Sequence, residues 1–214
     1  VTEYPPALGR LTSIAGALLV LAGCIAFMGI ISAETFYPGY STARNDISDL
    51  GATVPPNSII LQPSATIFNL TMLATGLLII GAAIALQRAG FVGLATVPLG
   101  LFGLGAFLVG VFPGNYGTIH GLSALLTFVA GAVTAIAGVT VIRGPLRIIA
   151  PALGAISLLT LLSYYVLGPA SPMFVFGPGG LERWIAYPVV LFVLAYGGYL
   201  MGTAREAAGV TRAV

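Results

Sequence analysis

Residues 11–32 read LTSIAGALLVLAGCIAFMGIIS, without one charged side chain. A helix rises about 1.5 Å per residue, so roughly 20 apolar residues cross the hydrocarbon core of a bilayer. This stretch is long enough to do so. Working outward, five more stretches of the same kind follow, at 65–86, 91–112, 121–142, 148–167 and 184–202. The fold class is therefore all-α: a polytopic membrane protein, a bundle of six transmembrane helices in three hairpins, forming one domain over 1–214. With 58% hydrophobic and 7% charged residues and a mean hydropathy of +1.05, no stretch remains for a soluble domain. The first span is too long for a signal-peptide apolar region of about 7–15 residues, and Ile31-Ser32-Ala33 only loosely imitates a cleavage site, so the span is expected to stay.

Charge placement predicts the orientation. Lysine is absent, and six spans put both termini on one side. Arg10, Arg88, Arg143, Arg147, Arg205 and Arg212 fall on that side, and Arg44 and Arg183 on the other. Positive residues are retained in the cytoplasm, which predicts a multi-pass protein of the cell membrane with both termini cytoplasmic. A net charge of +2 gives no reason to expect a nucleic-acid partner. The single cysteine, Cys24, has no partner for an internal disulfide and reads as a small buried apolar residue.

The connections are unequal. Inner turns at 87–90 and 143–147 are tight, whereas the outer connections at 33–64, 113–120 and 168–183 are richer. The first of these is expected to be partly ordered, with a short helix near 46–50 capped by Asn45 or Asp46 and ended by Gly51. Phe36-Tyr37-Pro38-Gly39, Val111-Phe112-Pro113-Gly114 and Leu167-Gly168-Pro169-Ala170 punctuate three helix ends. They read either as traces of a duplicated hairpin or as ordinary helix-stop chemistry. Ser123, Thr127, Gly131 and Ala135 form a small-residue stripe, and Gly100, Gly103, Gly105 and Gly110 crowd the third span. Such residues let neighbouring backbones approach. Tyr37, Tyr40, Tyr116, Tyr164, Tyr187 and other aromatics gather toward the outer interface, as an aromatic belt or as the lining of an outer pocket.

Polar groups converge at that same level. Arg44, Asp46 and Asp49 lie in the first outer loop, the two carboxylates three apart and so on one helical face. Asn69 lies a turn into the second helix, His120 opens the fourth, and Glu182 and Arg183 open the sixth. Each has a plainer reading: a dipole-complementing carboxylate, a histidine on a loop carbonyl, an amide joining helices, an internal ion pair. Together they form a candidate outer-face polar site from three separate loops, in which Arg183 is expected to pair with a carboxylate of the first loop. One histidine without a second at ligand spacing supplies no metal motif, so neither a metal nor another cofactor is assigned. A Ser-His-Asp set of Ser41 or Ser48 with His120 and Asp49 lacks the GxSxG elbow.

The run Asn45-Asp46-Ile47-Ser48-Asp49-Leu50-Gly51, then Pro55, then Phe68-Asn69, resembles an uncharacterised prokaryotic family of six-span membrane proteins, domain of unknown function nine-nine-eight. Gly110-Val111-Phe112-Pro113 with His120 is similar to its middle hairpin, and Leu181-Glu182-Arg183 with Tyr187-Pro188 to its last helix. The resemblance implies a six-span fold and a shared rim of residues, and no established reaction.

Three functions are open. The first is binding of a lipid or amphiphile at a polar site on the outer face. The second is a membrane-embedded enzyme acting on a lipid headgroup, a metal-dependent hydrolase among its forms. The third is a structural subunit of a membrane complex. Membrane lipids and protein partners within the membrane are the expected partners.

Overall fold

The computed structural model describes residues 6–91 and 93–212. Six long helices account for most of them: α1 (Pro6–Thr35), α2 (Ser64–Arg88), α3 (Gly93–Val111), α4 (Thr118–Ala137), α5 (Leu146–Leu167) and α6 (Gly177–Arg212). Among the described residues there is no strand. All six helices are long and apolar enough to cross a membrane. Their outward faces are apolar too: Leu70, Leu122 and Leu159 are exposed. Helices that are apolar on every side suit a lipid surround, and the chain is a multi-pass membrane protein.

Consecutive helices pack on each other, and α6 packs on α1, so the bundle closes into a ring. A further contact of α4 with α6 leaves α5 on the outside. Glycines bring the backbones together at these seams. A Cβ at Gly76 would strike the backbone of Phe107, one at Gly105 the backbone of Thr127, and one at Gly16 the carbonyl of Gly197. Without a hydrophobic driving force between helices in lipid, such close approach supplies the dispersion energy that holds them. Pro188 interrupts the backbone ladder of α6. Beside this interruption, one residue past the Trp184 carbonyl that loses its helical donor, Ser157 of α5 donates to the carbonyl of Ile185 at 2.6 Å, joining α5 to α6.

Two helix ends differ from the expectation. The segment Gly177-Pro178-Gly179-Gly180 opens α6 rather than forming a loop. Proline is at home in a first turn because its missing N–H would have no helical partner there. Glu182 and Arg183 thus lie inside α6, and α1 extends far enough to include Glu34. Cys24 faces outward rather than into the bundle.

The segment between α1 and α2, loop one, folds across the end of the bundle. Its helical part is a single 3-10 turn, Ser48–Leu50. Ile47, Leu50 and Ala52 are buried, and Ser64 donates to the Leu50 carbonyl at 3.1 Å. Neither Asn45 nor Asp46 caps this turn: the cap position is Ile47, with no side-chain hydrogen bond. The capping chemistry runs the other way, from Asp49 back onto the Asp46 N–H at 3.1 Å. Loop one also lies against the α3–α4 connection and the first turn of α6. A Cβ at Gly114 would overlap the Ala52 carbonyl oxygen, and one at Gly179 that of Asn45. The glycine that follows Pro113 at the end of α3 and the one that follows Pro178 at the start of α6 thus both make room for loop one.

Candidate functional site

Beneath loop one, inside the ring, lies a cavity of about 80 Å³. Helices α1, α2, α3, α4 and α6 wall it, and α5 does not. Ile47 and Ser48 of loop one close its upper part beside His120 and Glu182. Below them the wall is apolar, with Phe68, Met72, Phe102 and Phe128 prominent. Phe68 and Thr75, His120 and Thr127, and Glu182 and Val189 are pairs of lining residues seven apart. Two helical turns separate each pair, so the cavity runs about 10 Å down the bundle axis.

His120 enters the cavity from the first turn of α4 and is 5% exposed. Its Nδ1–H donates to the carbonyl of Phe112, where α3 ends, at 2.8 Å. That carbonyl is one of those a helix end leaves free. The bond sets the tautomer, and the neutral ring then presents Nε2 as an acceptor. Glu182 accepts the Ile47 N–H through Oε2, so one carboxylate both faces the cavity and holds loop one.

Arg183 points the other way. It forms an ion pair with Glu34 at 2.6 Å, its side chain 11% exposed and that of Glu34 20%. The same guanidinium donates to the carbonyls of Thr42, Asn45 and Gly179 and to the Tyr40 hydroxyl. Arg183 does tie loop one to α6, but through loop carbonyls. Its carboxylate partner is Glu34, a residue of the outer connection 33–64 by sequence that was not among the candidate residues and that the structure places in the last turn of α1. Tyr40 passes the connection on by donating to the Asp46 carbonyl at 2.9 Å. Burial pushes its phenol up, against the pull of Arg183, so the proton it donates is retained.

The remaining candidate residues sit behind or above the cavity. Burial first, and then the Asp49 carboxylate, push Asp46 up to about 6, with Arg183 opposing. Asp49 accepts from Asn45 Nδ2 at 3.3 Å as well as from the Asp46 N–H. Arg44 is exposed on the loop surface. The Asn69 side-chain oxygen occupies the space a Cβ at Gly51 would need and has no hydrogen-bond partner. Among the described residues, Arg44, Asp46, Asp49, Asn69 and Arg183 do not line the cavity, and no three His, Cys, Asp or Glu side chains are grouped as a metal ion would need. The rings that do line it are phenylalanines within the spans, not the tyrosines of the interface, of which Tyr37, Tyr40 and Tyr187 pack against the buried residues of loop one instead. Thr75, a further lining residue, carries a buried hydroxyl without a partner. Nothing in its sequence context distinguishes it from the other threonines of the spans.

The sequence model of a family described as "Protein of unknown function (DUF998)" matches residues 20–199. No curated protein and no solved structure matches the chain.

Proposed function

The chain belongs to the DUF998 family of proteins of unknown function, and we propose from the geometry of its cavity that it binds a lipid or other amphiphile. The binding end is the one covered by loop one, and it faces outward, with both termini in the cytoplasm of a plasma-membrane protein. The observation that carries this reading is the cavity itself: an apolar shaft inside the ring, with His120 and Glu182 at the end where loop one crosses. Small-molecule sites combine a mostly apolar wall with a few convergent polar groups. An amphiphile satisfies both, its polar end at the His120–Glu182 level and its apolar part below.

The test is native mass spectrometry of protein purified from its membrane and stripped of bulk lipid. An amphiphilic adduct is expected on the wild type and is expected to disappear from Ala124→Leu, which fills the cavity from α4. Adducts equally abundant on both proteins place the amphiphile on the outer surface and sink the reading.

One observation favours a second reading, an enzyme acting on a lipid headgroup. His120 and Glu182 share one cavity, as a general acid and base would. Recovery of a chemically altered amphiphile with the wild type, and of the unaltered one with His120→Ala, marks that outcome.

A further inference from the structure

We propose that the occupant of this cavity is an organic cation: a primary ammonium on a short alkyl arm, held at Glu182 and His120 with the arm directed toward Thr75. This rests on the cavity being a ligand site and names the chemistry the site selects.

The charges point to a cation. The cavity wall holds one carboxylate, Glu182, and, among the described residues, no lysine or arginine. Arg183, its neighbour in sequence, is committed to Glu34, Tyr40 and three loop and helix carbonyls. Glu182 receives the N–H of Ile47, whereas a carboxylate has about four lone-pair sites to fill. Away from water it needs a cation or a proton. His120 adds an acceptor, because Nδ1 is engaged with Phe112. A phosphate or carboxylate headgroup would face these acceptors with no cationic donor to hold it. An ammonium brings three donors and the missing charge.

A second, independent observation lies deeper. Thr12, Thr71, Thr127 and Thr134 each donate back to the carbonyl one turn earlier. The Thr75 hydroxyl, in a residue 5% exposed on the cavity wall, has no partner. Buried hydroxyls are normally hydrogen-bonded, so a polar atom at the far end of the arm completes the site. Size sets the scale. At roughly 10–15 Å³ per water-sized group, a cavity of about 80 Å³ takes about six non-hydrogen atoms. That is a free alkylamine with a short arm.

The experiment uses the full chain in nanodiscs of choline-headed lipid at neutral pH. Saturable shifts of the thermal unfolding midpoint are read with n-pentylamine, n-pentanol, pentanoate and 5-amino-1-pentanol. Pentylamine is expected to bind about tenfold tighter than pentanol or pentanoate. Glu182→Gln retains an oxygen for the Ile47 N–H and is expected to abolish that preference. Thr75→Val is expected to abolish any advantage of 5-amino-1-pentanol over pentylamine while leaving pentylamine binding intact, which guards against a Glu182 variant that does not fold. Nanodiscs containing ethanolamine-headed lipid check the direction of the arm: pentylamine binding is expected to be unchanged by that lipid, and competition by it overturns the inward-pointing arm. Equal binding of pentanol and pentylamine, unchanged in Glu182→Gln, overturns the cation while leaving amphiphile binding standing. Binding of none of the four compounds, together with no adduct difference for Ala124→Leu, removes both.

Discussion

Arg183 connects α6, α1 and loop one through one guanidinium, whose five bonds reach Thr42, Asn45, Gly179, Glu34 and Tyr40. Arg183→Ala leaves Glu34 largely buried without its cation and the Thr42 and Asn45 carbonyls without this donor. Breaking a buried pair from one side costs about 3 kcal/mol or more. Unfolding in detergent is expected to move by that amount, and trypsin to cut at the exposed Arg44 in the variant but not in the wild type. Arg183→Lys recovers only part, since an ammonium cannot reproduce the planar fork. Asp46 gives the loop a pH dependence of defined sign. Its folded value, about 6, stands above the ordinary 3.8, so the folded state favours the protonated form. The stabilisation is full below about 3.8 and is lost as pH rises through 6. The groups that bear on it are Asp49, Arg183 and Glu182. Wild-type thermal stability is expected to fall between pH 4 and pH 7 relative to Asp46→Asn, and parallel profiles for the two proteins would contradict this. Sequence could name Asp46, His120, Glu182 and Arg183 because charged and imidazole groups are rare in so apolar a chain. It could not assign their partners, which depend on how loop one folds across helix ends far away in the chain.

The seams between helices rest on glycine. At Gly76 and Gly103, α2 and α3 approach so closely that an added Cβ meets the other backbone. Gly100, on the same helix as Gly103, has only the Ala83 Cβ near it, at 3.7 Å. Gly76→Ala is expected to destabilise by roughly 1–3 kcal/mol, the cost of overpacking. Gly100→Ala should leave stability unchanged or raise it by up to about 1 kcal/mol, because alanine is the better helix former. Thermal aggregation midpoints in one detergent compare the two directly. The six helices were legible from apolar length, because lipid forces every spanning segment to satisfy its own backbone. The start of α6 was not. Gly177-Pro178-Gly179-Gly180 has the composition of a loop, and only the passage of loop one over Gly179 accounts for two of its roles, a first helical turn and a site of close contact.

For the whole molecule, the uneven arginines make a prediction about sidedness. In a Cys24→Ala background, Ser41→Cys is expected to react with an impermeant maleimide added to intact cells, and Ala208→Cys only after lysis. External labelling of Ala208→Cys would invert the orientation and with it the side from which the cavity is served. The bundle of six helices could be anticipated from span count, but the void inside it could not. Its wall draws on five helices and loop one, and the decisive lining residue Thr75 carries no local signal. One consequence follows from Glu182, which holds the Ile47 N–H and lines the cavity at once. Whatever engages that carboxylate from inside also acts on the covering segment, and by linkage the effect is mutual. If the cavity is filled as proposed, occupancy is expected to change the order of loop one, and the bundle would act as a transducer of what it holds.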